Sequence, residues 1–295
     1  MNNPVSDTSA DTKQWIACLY CVLSSLAFSL MTVCVKQLNG RLPVSEIVLC
    51  RALISIGLTG VGLWMARVSP WGQRRGLLIT RGLLGSAALL CFFEAIDRLP
   101  LASATVLQYT YPTFTAVAAL LLLGEQLRRR IVIAVLIGWI GITLVVQPEW
   151  LSGTDSALPL MAVLAGLAGA LFTALAYVSV RRLSVSEHPL VIILYFPMIS
   201  VPMTLPWVIQ QGVWPLGWEW IWLMGVGVFT QLGQIWVTQA LRCLPAARAT
   251  SINYVQVVFA ATWGWIWFAE AIDIWQVGGA AMVLTATMIS LSARR

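Results

Sequence analysis

Two ionisable side chains stand deepest in long apolar stretches: Arg51 within the run 44–66, and Glu94 near the end of the run 76–96. A charge taken out of water has to be compensated, so each marks either a structural pair or a functional group. Arg51 is suited to clamp a carboxylate through its planar fork of donors, and equally to pair with a structural charge or cap backbone carbonyls. Glu94, beside Asp97 and Arg98, is a candidate proton-coupling carboxylate if burial raises its pKa. Amides and hydroxyls are patterned as well. Thr105, Gln108, Tyr109, Pro112 and Thr113 are spaced i, i+3, i+4, i+7 and i+8, one stripe of an α-helix, and Thr250, Asn253 and Tyr254 repeat it. Gln231, Gln234 and Thr238 share a face of a third stretch, with Trp236 between them. Facing lipid, such groups would stay unsatisfied, so they either bond between helices or line a wetted, ligand-filled space. Two amphipathic tyrosines beside amides suit a small polar ligand with an apolar part. The candidate binding residues are therefore Arg51, Thr105, Gln108, Tyr109, Gln234, Thr238, Asn253 and Tyr254, with Gln234 foremost because it lies nearest the middle of its stretch.

Other reactive types carry less. The six cysteines lie in or beside apolar runs and read as small buried hydrophobes; the Cys18-x-x-Cys21 pair lacks the further ligands that a metal needs, so no metal and no cofactor is expected. His188, the only histidine, precedes Pro189 in a short polar segment and reads as a solvated loop group. Glu125 and Glu270 end matching runs, and are expected to anchor helix ends or pair with loop arginines such as Arg128. Trp15, Trp64, Trp71, Trp150, Trp214, Trp218 and Trp220 fall near run ends, where tryptophan anchors to a membrane interface. Trp236, Trp263 and Trp265 lie farther inside.

The elements that must position these residues follow from composition. Of 295 residues 59% are apolar and 10% charged, whereas a soluble domain carries about 25% charged residues. A chain with so little polar surface belongs in a lipid bilayer. Spanning helices need about 20 apolar residues each, and the runs 15–35, 44–66, 76–96, 101–123, 131–147, 158–180, 189–210, 218–240, 246–268 and 274–292 supply ten of them. This leaves room for neither a large soluble domain nor a nucleic-acid reader, and long continuous runs do not make an outer-membrane barrel. Residues 1–14 read as a disordered tail and 148–157 as a linker. Alternate connections collect the basic residues, among them Arg67, Arg74, Arg75, Arg128, Arg129, Arg130, Arg181, Arg182, Arg242 and Arg248, against Lys36, Arg41 and Arg98 on the other side; Arg81 falls at the border. Lysine and arginine mark the cytoplasmic side, so both termini are expected in the cytoplasm. The net charge of +6 is then a topology signal, with no nucleic acid required.

Laying the second half of the chain on the first brings Leu99-Pro100-Leu101-Ala102-Ser103-Ala104-Thr105 onto Leu244-Pro245-Ala246-Ala247-Arg248-Ala249-Thr250, Gln108-Tyr109 onto Asn253-Tyr254, and Glu125 onto Glu270. Phe28-Ser29 falls on Phe172-Thr173. Five helices per copy is an odd number, so the second copy enters the membrane from the opposite side. The fold class is an all-α integral membrane protein of ten transmembrane helices, two inverted five-helix repeats over 15–147 and 158–292. Such repeats recur in secondary transporters, with the solute bound near the midplane between them.

Phe28, Arg51, the stretch Leu99-Pro100 to Thr105, Pro112 and Gly124-Glu125 together resemble the drug/metabolite transporter superfamily, of the EamA type. In the second half Tyr195 or Pro197 stands where the arginine would recur, Val257 where proline is common, and Ala269-Glu270 replaces Gly-Glu. The resemblance implies movement of small organic metabolites, export of amino acids or related compounds, through a cavity lined by both repeats. Its setting would be a bacterial inner membrane, as a monomer or homodimer. No nucleotide-binding motif is present, so transport would run on a solute, ion or proton gradient. The alternatives are a membrane-embedded lipid-modifying enzyme, which would need clustered catalytic groups, and a receptor that does not transport.

Overall fold

The computed structural model describes residues 5–38, 41–99, 101–146, 159–268 and 274–292. Among these there are helices and no strands. Apolar runs of spanning length leave a helix as the only way to satisfy the backbone inside lipid. The twelve helices are α1 (Val5–Leu38), α2 (Val44–Ala66), α3 (Arg75–Arg98), α4 (Leu101–Gln108), α5 (Tyr111–Leu123), α6 (Arg129–Val146), α7 (Leu160–Leu183), α8 (Pro189–Gln211), α9 (Glu219–Cys243), α10 (Ala246–Ile252), α11 (Val255–Phe268) and α12 (Ile274–Ser292). Helix α1 begins inside the segment expected as a tail, and Thr12–Leu38 is its apolar portion. Glu270 and the linker 148–157 lie outside the described residues.

Ten spans become twelve helices because two spans are broken. The span 101–123 divides into α4 and α5 at Tyr109-Thr110, and 246–268 into α10 and α11 at Asn253-Tyr254. In the first, Pro112 has no N–H to give to the carbonyl four residues back, so α4 ends at Gln108 and α5 restarts with proline at its N-terminus. Tighter bonds carry the chain through: Thr113 N donates to Thr110 O at 3.0 Å, and Gln256 N to Asn253 O at 3.0 Å. The stripes expected along uninterrupted helices are therefore re-phased at each break, since the 100° step per residue no longer runs through it.

Packing joins the two halves throughout. Helix α1 lies on α9 and, as its repeat counterpart, α3 on α7; α2 lies on α8 and α6 on α12. Small residues permit the closest approach. A Cβ on Gly279 would stand 2.5 Å from the Gly141 carbonyl oxygen, and one on Gly233 2.8 Å from the Phe28 ring. Hydrogen bonds add specificity: Ser24 Oγ donates to Gly233 O at 2.9 Å, Gln231 Nε2 to Thr59 Oγ1 at 2.8 Å, and Ser86 and Ser200 share one at 2.9 Å.

Each face of the bundle carries its own polar links between repeats. On the arginine-rich face Arg181 Nε reaches Glu125 Oε1 at 3.0 Å, Glu125 also accepts from Ala246 N at 2.9 Å, and Glu187 accepts from Gln73 N at 2.8 Å. On the opposite face Arg41 Nε reaches Glu219 Oε1 at 2.5 Å and Glu46 accepts from Val213 N at 2.8 Å. Glu125 thus pairs with an arginine of the other repeat. Arg248, expected among the exposed topology arginines, is instead buried; it donates to Ser290 O at 2.8 Å and Leu291 O at 2.7 Å, tying α10 to α12. His188 caps α8, accepting from Leu190 N at 3.4 Å. Partial burial, and then the neighbouring Arg242, hold its pKa below the usual imidazole value.

Candidate functional site

Arg51 lies roughly 10 Å along α2 from its start, and Arg81 roughly 9 Å along α3 from its own, at 1.5 Å per residue. Because α2 and α3 are consecutive spans they run in opposite directions, so the two side chains converge from opposite ends. They meet over one ring. The guanidinium carbon of Arg51 is 5.4 Å from the centroid of Phe196, on α8, and that of Arg81 is 5.0 Å from it, both within cation–π range. Arg81 Nη2 also donates to Gln234 Oε1, on α9, at 3.2 Å.

Local sequence explains how Arg81 is accommodated. Gly85 lies one turn beyond it, and a Cβ there would fall 2.7 Å from Arg81 Nη1 and 2.7 Å from the Phe196 ring. The glycine opens the lane in which the guanidinium lies against its own helix. At Gly82 a Cβ would fall 2.7 Å from the Tyr195 carbonyl oxygen, so the same helix face also draws α8 close enough to present Phe196.

Arg81 is only 5% exposed, and Arg51 is half-buried. Arg51 Nη2 and Arg81 Nε are fully covered and have no hydrogen-bond partner. Among the described residues no carboxylate pairs with either arginine. The buried glutamates are committed elsewhere, Glu46 and Glu187 to backbone N–H groups. Aromatic groups stand close by: the rings of Tyr109 and Tyr111 are 6.2 Å apart, those of Tyr111 and Tyr177 5.6 Å apart, and Tyr177 lies within electrostatic reach of Arg81. Two cations, amide and phenol groups and an aromatic wall can hold an anionic molecule with an apolar body.

The expected binding residues distribute unevenly around this centre. Arg51 and Gln234 belong to it, and Tyr109 joins through the tyrosine cluster. Gln108 bridges α4 to α7, its Nε2 donating to Thr173 Oγ1 at 3.1 Å, while its Oε1 is buried without a partner. Asn253 makes the related link from the second repeat, accepting from Ser25 Oγ at 3.5 Å. Thr238 is buried on α9 and Thr105 half-buried on α4. Tyr254 shares an apolar cluster with Tyr109. It packs among Val106, Ile142, Val145, Val257 and Val283, its ring filling the space above Gly138. Glu94 is about half exposed and pairs with Arg98 at 2.6 Å.

Arg81 is the residue that sequence reasoning missed. It follows Arg74 and Arg75 closely enough to pass for a border charge, and the one available signal was Gly85 four residues on. Two cavities open elsewhere. A groove of about 1160 Å³ lies between α2 and α8 near Trp64 and Trp71, and a hollow of about 70 Å³ beside Glu125 and Arg248; neither is lined by the arginine pair. Among the described residues no cluster of histidine, cysteine, aspartate and glutamate could hold a metal ion.

This architecture is shared with known proteins. The pseudopaline exporter of Pseudomonas aeruginosa is 32% identical over 269 residues, spanning 91% of this chain and 93% of its own length. Solute carrier family 35 member G1 of Homo sapiens is 28% identical over 302 residues, spanning 96% and 82%. A solved crystal structure that is 21% identical has the same fold, with a TM-score of 0.74 and 96% of each chain covered. The EamA-like transporter family matches residues 15–147 and again 160–292. Two such repeats in a ten-helix membrane bundle, with relatives of nearly full length, establish that this chain belongs to the EamA-like transporter family of the drug/metabolite transporter superfamily and is a multi-pass transporter of small molecules.

Proposed function

We propose that the protein exports a small organic acid or amino-acid-like metabolite across a bacterial inner membrane, by alternating access about the pocket at Arg51, Arg81, Phe196 and Gln234. The observation that carries this reading is a pair of arginines, Arg81 buried and Arg51 half-buried, with no carboxylate pairing with either among the described residues, at a point where side chains from both repeats meet. An unpaired buried charge costs several kcal/mol, and an anionic substrate removes that cost while it is bound. The position between inverted repeats is where alternating access is expected to place the solute. The polar links on the two faces supply contacts that would open in turn. Export as the direction, and the bacterial setting, draw on the likeness to the pseudopaline exporter.

The test is release of preloaded anionic metabolites from proteoliposomes containing the purified protein. Saturable efflux is expected, reduced at least tenfold in Arg51→Gln and several-fold in Gln234→Ala, with both variants inserted normally. Wild-type efflux kinetics in both variants would remove them from the pocket, and absence of efflux for every solute would favour a non-transporting receptor.

A further inference from the structure

We propose that the pocket is selective for organic dianions, one anionic group engaging Arg51 and the other Arg81, with an apolar or unsaturated body against Phe196. This rests on the function proposed above and goes beyond it in fixing the charge of the substrate. Two guanidinium groups share one aromatic ring, at 5.4 and 5.0 Å from its centroid. Each keeps a covered nitrogen without a partner. Their other neighbours are neutral: Gln234 takes one N–H of Arg81 through its carbonyl oxygen, leaving the amide nitrogen available to a ligand, and Tyr177 is a phenol.

Charge balance then decides between substrate classes. Closing the pocket around a neutral molecule would strand two positive charges in low dielectric, and closing it around a monoanion would strand one. A dianion compensates both, so the occluded state is most accessible with that class bound. The pair is also directional. Arg51 and Arg81 enter from helices of opposite direction and approach the same ring. The tyrosines and Phe196 supply the surface for what lies between. Two carboxylates on one carbon skeleton, or a phosphate monoester, present the same chemistry.

The experiment compares matched probes on the detergent-purified full chain: phthalate against benzoate, succinate against succinamate, and phenyl phosphate for the phosphate source. Ligands that bind the folded state raise its unfolding temperature, by an amount that grows with the logarithm of concentration over Kd. In the wild-type protein at least one dianion is expected to bind about tenfold or more tightly than its monoanion. Preference for phenyl phosphate over the dicarboxylates would identify the phosphate source, and the reverse the dicarboxylate source. Arg81→Gln should bring dianion affinity down to about that of the monoanion, and Arg81→Lys should retain part of the gap. Without ligand, Arg81→Gln should unfold at or above the wild-type temperature, because an uncompensated charge has gone; a marked fall would make Arg81 a structural anchor and overturn the proposal. Equal binding of dianions and monoanions, both still lost in Arg51→Gln, would overturn the dianion assignment and leave the pocket standing. Anion binding untouched by Arg51→Gln would overturn the pocket as well.

Discussion

The arginines illustrate how far a residue's meaning depends on its neighbours. Arg248 and Arg81 are both buried, yet Arg248 donates to the Ser290 and Leu291 carbonyl oxygens while Arg81 holds one amide and lies over a ring. The first is anchored by acceptors of the protein, and the second still offers a donor to a ligand. Gly85 is what keeps Arg81 in that state. Replacing it by valine would put carbon where the guanidinium and Phe196 now meet. Gly85→Val should therefore weaken dianion binding about as much as Arg81→Gln does, tenfold or more, in protein that still inserts and elutes normally. Ligand titration by thermal shift measures this, and unchanged affinity would mean that the guanidinium does not depend on the lane beside Gly85.

At the scale of elements, the broken spans and the glycine contacts do different work. The breaks at Tyr109-Thr110 and Asn253-Tyr254 present side chains that a continuous helix would turn elsewhere. The contact of α6 with α12 holds the two repeats together at the ends of their chains. Its closeness depends on Gly141 and Gly279, each of which would drive a Cβ to within 3 Å of the other's carbonyl oxygen. Gly278, one residue away, has nothing within 4 Å. Gly279→Val should accordingly cost on the order of 1–3 kcal/mol through overpacking, seen as a lower unfolding temperature in detergent, whereas Gly278→Val should change little. Equal effects of the two would show that helix propensity rather than interhelical contact decides the cost.

For the whole molecule, the repeats make the protein a pair of half-bundles whose faces are fastened separately. The Glu125–Arg181 pair spans the repeats on the arginine-rich face, with side chains 16% and 23% exposed, and Arg41–Glu219 spans them on the other. Partly shielded pairs couple more strongly than fully exposed ones, which are worth up to about 1 kcal/mol. A double-mutant cycle of Glu125→Gln and Arg181→Gln should show a coupling of roughly 1 kcal/mol in thermal stability. Strict additivity would show that the two groups act through their separate backbone contacts, Ala246 N for the glutamate and the Leu241 and Arg242 carbonyls for the arginine.

The bilayer class, the ten spans, the repeat and Arg51 were legible in the sequence because each rests on local rules: apolar length, the sidedness of arginine, self-similarity, and the cost of a charge far from either end of a span. The packing of Tyr254 could not be read this way, since its phase depends on the break at Asn253-Tyr254, which sets the ring over Gly138 in an apolar cluster that Tyr109 also meets. The surroundings of Glu94 were likewise out of reach, being set by how its helix end packs and by Arg98 one turn away. Arg81 was hidden because six residues into a helix is where an arginine can still reach water. Only the approach of α8 and α9, bringing Phe196 and Gln234 across the repeat boundary, took it out of water and set it beside Arg51. Sequence determined which groups are costly in lipid, and tertiary structure decided which of them are compensated within the protein and which keep atoms without a partner among the described residues.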